Sequence, residues 1–423
     1  MTDDIIVVGA GPAGLAAGIA SAKKGRETVC VLERNAVPGR KFLISGSGQC
    51  NVTHTGSVAE FLTHYGGAKK ARFVQPALLF FDPIAVMRFF EQRGVPLLKR
   101  EDGKIFPKSL KSGDLLNVLV AELKGRGGKL QTETVVKNVM KTESGFLLST
   151  NRGDFRTKKL ILATGGQSYP ATGSQGDGFR FAVQLGHHLI EPKPALTPVI
   201  VRNYPFGDSS GFSFHSVKIG IHRNGKRLQT GQGDVLLTHK GLSGPGILDL
   251  SRNIKPGDEL HIALIKSEML TSDLFAGKKT LKNALQRFGI AERFLVQILE
   301  SLGIVPDQPA TETNRETRKK LELALTGYPF VVELPCGWNE AMATSGGVTL
   351  EEVNRQTMES RIIPDLYFCG ELLDIDGDTG GYNIQFALSS GFLAGKSSSV
   401  GAGFETLLYH TSRVSDGGLP PTK

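Results

Sequence analysis

The chain has 423 residues, room for two or three domains that each bury a core. Its 40% hydrophobic and 22% charged residues exclude a disordered or fibrous protein. The formal charge of +9 is more basic than a small-molecule enzyme requires; either a polyanionic partner or a merely basic surface would account for it.

An apolar run over residues 5–22 is cut by Gly9, Gly11, Pro12 and Gly14 and follows Asp3 and Asp4. No secretory leader and no membrane-spanning segment are therefore expected. Cys30, Cys50, Cys336 and Cys369 show neither metal-ligand nor disulfide-framework spacing. The expectation is no metal and a reducing, cytoplasmic setting.

Residues 4–8 form a β-rich run, glycines follow, 13–24 reads as a helix and 28–32 as a second strand. That order is a βαβ unit. Helices are expected over 83–94 and 112–125, strands around 129–139, 146–150 and 159–163. From about residue 190 short alternating strands appear, with an Asn224-Gly225 turn, as in a β-rich, barrel-like module. Residues 267–326 read as mostly helical, 342–348 return to β texture, and 366–369 lead through a loop into a helix over 383–395. Beyond Val400 the pattern weakens into a loose tail. The fold class expected is α/β: a discontinuous Rossmann-type domain over 1–190 and 340–423, an inserted β-rich domain over 191–266 with 327–339, and a helical insert over 267–326.

Gly9-Ala10-Gly11-Pro12-Ala13-Gly14 is a G-x-G-x-x-G between a strand and a helix. Gly9 permits the tight turn, Gly11 lets the backbone approach a pyrophosphate, and Gly14 lets helix and strand pack closely. Glu33, ending the second strand, is placed for an adenosine ribose hydroxyl and disfavours a 2′-phosphate, so the dinucleotide is FAD or NAD. Gly39-Arg40-Lys41, Ala163-Thr164-Gly165-Gly166 and Gly370-Glu371 also fall at strand ends, where ligands of open α/β sheets bind. The last helix starts at Gly380-Gly381-Tyr382-Asn383, and its N-terminus would stabilise negative charge on the N1–C2=O edge of a reduced flavin. No second fingerprint of comparable quality is present, so an NAD(P)H donor would visit the flavin and leave.

The stretches GAGPAGLAAG, GRKFLISGSGQCNVTH (39–54), LATGGQSYPATGSQGDG (162–178), THKGLSGPGIL (238–248), TSGGV (344–348) and LYFCGELLDIDGDTGGYNIQFALSSGFLAG (366–395) occur in order along nearly the whole chain. In them the sequence resembles the BaiN-like, or YhiN-like, bacterial NAD(P)/FAD-dependent oxidoreductases, distant relatives of the fumarate reductase flavoprotein. The resemblance implies FAD as cofactor and NAD(P)H as transient hydride donor. It places Glu371 at the ribityl chain, Arg40 and Lys41 near the phosphates or flavin, Val136 at the adenine through its backbone, and Tyr382 and Asn383 near the isoalloxazine. Arg34, Asn51 and Ile384 join the cofactor-binding candidates. Where the related pattern reads GGGRCN, this chain has Gly46-Ser47-Gly48-Gln49-Cys50-Asn51, without the cation at position 49.

The implied reaction is reduction of an activated C=C bond, of a ribosomal RNA uridine or of a small apolar steroid-type alkene; a flavin-bearing binding protein without turnover is the third reading. Cys50 is the leading proton-donor candidate, since a free thiol is largely protonated at neutral pH, and its alternative is packing in a glycine loop. Tyr382 either donates from its phenol or packs on the flavin; His54 and His239 rank below. Basic clusters at Lys69, Lys70 and Arg72, at Lys99, Arg100, Lys104, Lys108 and Lys111, and at Arg315, Arg318, Lys319 and Lys320 are either phosphate contacts or solvated faces.

Overall fold

In the computed structural model, which describes residues 2–22 and 27–399, Thr2–Val8 pairs in parallel with Val29–Leu32 on one side and Gly153–Leu162 on the other. Lys129–Gln131 extends this sheet beyond Val29–Leu32. The second half of Gly153–Leu162 takes Leu366–Phe368 as a further parallel neighbour, while its first half pairs antiparallel with Gly145–Thr150, itself paired to Val136–Thr142. At the centre of this sheet residues 5–8, 29–32, 160–162 and 366–368 are apolar and buried, as strands covered on both faces require, while the Lys129–Gln131 strand is partly exposed. The tail expected past Val400 and the Lys24 end of the first helix lie outside the described residues.

The chain divides into two compact units. One comprises Gly176–Ile190 with the described parts of Met1–Gly165 and Gly347–Lys423; the other comprises Gly166–Gln175 and Glu191–Gly346. In the first, the helix Pro12–Ser21 lies against the final helix, Tyr382–Ser398. The contact is backbone-close: a Cβ on Gly391 would stand 2.2 Å from the Ala13 carbonyl oxygen, and one on Gly395 2.1 Å from that of Ala17. Only glycine at both positions allows that approach, so opposite ends of the chain close one core. A small antiparallel sheet of Thr53–His54, Lys104–Pro107 and Leu97–Lys99 belongs to the same unit.

Ala68–Glu91 is long and apolar enough to cross a membrane by length and composition alone, but 56% of its most apolar stretch is buried inside the protein. It is also two helices, Ala68–Phe80 and Pro83–Glu91, the second capped by the Asp82 carboxylate accepting from the Ala85 N–H at 2.6 Å. Its apolar residues serve the core.

In the second unit Val199–Val201, Gly241–Ser243, Lys226–Leu237, Ser213–Arg223, Glu259–Ile262 and Tyr328–Pro335 close a six-stranded barrel. Asn224 and Gly225, both at positive φ (51° and 73°), turn its longest hairpin, as that dipeptide predicts. Leu281–Leu285, Glu292–Ser301 and Arg315–Gly327 carry the helical stretch, and their Leu285, Phe294, Ile298 and Leu321 share one core with Phe206, Ile219 and Phe330 of the barrel region.

Candidate active site

The glycine fingerprint makes the first wall. Gly9 leaves Thr2–Val8 at φ +103°, its N–H donating to the Leu32 carbonyl at 2.8 Å; a Cβ there would stand 2.5 Å from the Ala163 carbonyl oxygen. A Cβ on Gly14 would stand 1.8 Å from the Gly9 carbonyl oxygen, whereas one on Gly11 would meet no atom within 4 Å. Gly9 and Gly14 are thus glycine for the fold, and Gly11 for something the fold does not itself fill. Gly11 caps the helix, Pro12 and Ala13 form its first turn, and no side chain caps its N-terminus, which keeps the positive dipole end available to an anion.

Glu33 is buried and ties the neighbouring strand end to this loop. Its carboxylate accepts from the Ala10 N–H at 2.9 Å and from the Asn35 backbone and side-chain N–H groups at 2.9 and 2.7 Å. A carboxylate has about four lone-pair sites, so capacity remains for a ribose hydroxyl. The Glu33 carbonyl also accepts from Thr134 at 2.8 Å, which puts Val136, buried at the start of its strand, two residues from this contact.

Ala163, Thr164 and Gly165 follow Gly153–Leu162, and Gly370 and Glu371 follow Leu366–Phe368, so both segments stand at the same C-terminal sheet edge as Gly9. Glu371 pairs with Lys41 at 2.6 Å, both partly buried. Arg40 is exposed and donates to Asn35 at 3.3 Å, and Arg34 pairs with Asp177. These sequence-singled residues, more than 300 positions apart at the extremes, therefore converge on one edge.

At the other wall the chain descends through Asp374, Asp376 and Asp378 into Gly381, at φ +98°, and the final helix. Lys70 lies between Asp374 and Asp376 at 2.9 and 2.8 Å; burial alone would lower its pKa, but the two carboxylates, Asp376 foremost, raise it. Asn383 folds back on the loop, accepting from Gly377 N–H at 2.8 Å and donating to its carbonyl at 2.9 Å. Ile384 packs against the core behind it. Asn51 Oδ1 is buried with no hydrogen-bond partner, an orphan that a ligand donor would satisfy.

The proton-donor candidates fare unequally. Cys50 is fully buried at φ +58° in the tight Ser45–Asn51 turn, its N–H donating to the Ser45 carbonyl at 3.0 Å. Burial pushes its thiol up to about 12, which makes it a weaker acid than the free thiol the sequence reading assumed. Tyr382 is 5% exposed, its ring stacked on His64 at 4.0 Å and on His54 at 5.6 Å, and edge-on to Phe61 at 4.9 Å. Packing is the role its surroundings support. His54 faces carbonyl oxygens with both ring nitrogens, Thr55 at 2.6 Å and Asp102 at 2.7 Å. His239 is exposed in the barrel unit.

Sequence reading missed His64, whose Nδ1 lies 3.0 Å from Asp378 Oδ2, and the Lys70 pairs. The alternation of aspartates at 374, 376 and 378 was the visible signal; their partners, some 300 positions away, left none. Gln49, standing where the related pattern has a cation, accepts from the Arg100 guanidinium at 2.7 Å, so a cation reaches that position from another strand end.

Residues 3–397 match the model of the HI0933-like protein Rossmann domain. The chain belongs to this family. It is 30% identical over 397 residues to the ribosomal RNA dihydrouridine synthase of Escherichia coli strain K12, covering 92% of this chain and 96% of that one. It is also 30% identical over 407 residues to the 3-dehydro-bile acid delta(4,6)-reductase of Clostridium scindens, covering 92% and 97%. Among solved structures, the FrdA chain of E. coli quinol fumarate reductase aligns with a TM-score of 0.50 at 16% identity over 96% of this chain and 72% of that one. The 3-ketosteroid delta1-dehydrogenase of Sterolibacterium denitrificans aligns with a TM-score of 0.50 at 13% identity, over 93% and 98%. The family is one of flavin-dependent oxidoreductases, and this chain is an enzyme of that kind built on a Rossmann-type FAD-binding fold.

Proposed function

We propose that this enzyme reduces the 5,6 double bond of a uridine in ribosomal RNA to dihydrouridine, with FAD as cofactor and NAD(P)H as the electron source, in the cytoplasm. Bound FAD would supply the hydride. The N-terminus of Pro12–Ser21 would hold the pyrophosphate beside Gly11, Glu33 the ribose, Val136 the adenine, and Glu371 with Lys41 the ribityl chain. Gly381, Tyr382 and Asn383 would present the final helix's N-terminus to the flavin, and Asn51 Oδ1 would accept from it or from the substrate.

The observation that carries the RNA reading is the small sheet. Lys99 and Arg100 at the end of one strand, and Lys108 just past its partner, are exposed on a hairpin laddered directly to Thr53–His54; the exposed Lys111 follows as the N-cap of Ser112–Gly125, and His54 stacks on Tyr382. A cationic edge thus joins the elements that would face the flavin, as gripping a phosphate backbone requires. The other clusters contribute less: Lys69 pairs with Glu351 at 2.6 Å, Lys70 is committed to two aspartates, and Lys320 pairs with Glu316.

Anaerobic NAD(P)H-reduced enzyme, mixed with ribosomal RNA from a strain lacking the protein or with an unsaturated steroid acid, tests the assignment by the return of flavin absorbance. RNA is expected to re-oxidise it. Re-oxidation by the steroid alone would move the assignment to the small alkene, the substrate class named for the Clostridium scindens relative.

A further inference from the structure

Reducing a C=C bond needs a proton for the second carbon, and three of the candidate donors are poorly placed to give one. Cys50 is sealed with its thiol pushed up to about 12, Tyr382 is enclosed, and both His54 nitrogens face carbonyl oxygens. His64 differs in each respect. Its Nδ1 meets the Asp378 carboxylate at 3.0 Å, and the Asp378 N–H donates to the His64 carbonyl at 3.0 Å, so ring and backbone are tied to the same residue. Its ring lies on Tyr382, the first residue of the final helix, at 4.0 Å and 14° from parallel. Its Nε2 has no partner among the described residues, and its side chain is 37% exposed.

We propose that His64 is the proton donor of the alkene reduction, oriented by Asp378; this rests on the reading given under Proposed function. With Nδ1–H donated to Asp378, Nε2 is the atom that exchanges protons. Bound flavin would supply hydride to one carbon of the alkene, and as the π bond breaks the adjacent carbon takes H⁺ from His64 Nε2–H. The N–H electron pair stays on His64, which is left neutral with Nδ1–H still on Asp378 and is reprotonated from water at its exposed edge. For uracil the hydride goes to C6, conjugated with the C4 carbonyl, and the proton to C5.

The test compares wild type, His64→Gln and Asp378→Asn as FAD-loaded enzymes. His64→Gln is expected to retain FAD, to be reduced by NAD(P)H and re-oxidised by ferricyanide at wild-type rates, and to be re-oxidised by the RNA substrate about 100-fold more slowly. Asp378→Asn should fall between, and the wild-type solvent deuterium effect on the RNA step should vanish in His64→Gln. An unchanged RNA step in His64→Gln overturns the proposal while leaving the function intact. Equal slowing of the ferricyanide step, or loss of FAD in both variants, overturns it in favour of a structural role. Wild-type enzyme that no alkene re-oxidises would fell the functional reading, and this one with it.

Discussion

At the residue scale, Gly11 and Gly14 look alike in sequence and differ in physical duty. Gly14→Ala drives a methyl into the Gly9 carbonyl and should destabilise the fold by about 3 kcal/mol or more. Gly11→Leu meets no nearby protein atom at its Cβ, so thermal unfolding of the apoprotein should stay close to wild type while the yellow FAD absorbance of the purified protein is lost. A Gly11→Leu protein that keeps its flavin would mean the pyrophosphate does not lie there. The fingerprint was readable because glycine leaves a mark in sequence wherever backbone comes close. Of the two roles the sequence leaves open for Cys50, donor or packing residue, burial favours packing by pushing the thiol up to about 12, and that burial is set by residues that no spacing around position 50 reveals.

At the scale of elements, Glu122 fastens the helix Ser112–Gly125 to the turn after Pro83–Glu91. It takes the Arg93 guanidinium at 2.9 Å on both oxygens and Arg126 at 2.7 Å. The Arg93 hydrogen bonds, aided by Arg126 and outweighing partial burial, hold its carboxyl near 2 instead of 4.5. A depressed carboxyl stabilises above its unfolded value and ceases to as pH falls through the folded one, so this contribution is present above 4.5 and lost towards 2. Glu122→Gln should therefore cost about 1–2 kcal/mol at neutral pH, after allowance for solvent screening, and flatten the acid limb of a stability–pH curve across that window. Chemical denaturation at pH 7, 4 and 3 measures both effects; a variant that loses as much stability at pH 3 as at pH 7 would contradict the linkage.

Elements with a strong period or a turn dipeptide were legible. The helix Ser112–Gly125 and the Asn224-Gly225 hairpin fall where the sequence puts them. Barrel strands of three residues, Val199–Val201 and Gly241–Ser243, were not, because three residues carry no measurable alternation and their pairing is fixed by partners far along the chain. The helix Ala68–Phe80 was read only as a cluster of charges. Its apolar face is fixed by contact with the final helix, whose sequence lies 300 positions on.

At the scale of the molecule, the cofactor candidates lie in a unit assembled from both ends of the chain, and its positive edge is the hairpin carrying Lys99, Arg100 and Lys108, with Lys111 at the start of the helix that follows. If that edge grips RNA phosphates, binding weakens steeply with salt, and each lost contact lowers the log–log slope by about 0.7 for single-stranded RNA. Replacing Lys99, Lys108 and Lys111 with alanine should reduce affinity and slope together while leaving reduction of the flavin by NAD(P)H unchanged; an unaltered slope would place the RNA elsewhere. The central claim is tested most directly by mass spectrometry of ribosomal RNA from a strain lacking this protein and from the same strain complemented with it. The account predicts that a dihydrouridine disappears from one position and returns with the intact protein but not with Gly11→Leu. Dihydrouridine content unchanged by the deletion would contradict it.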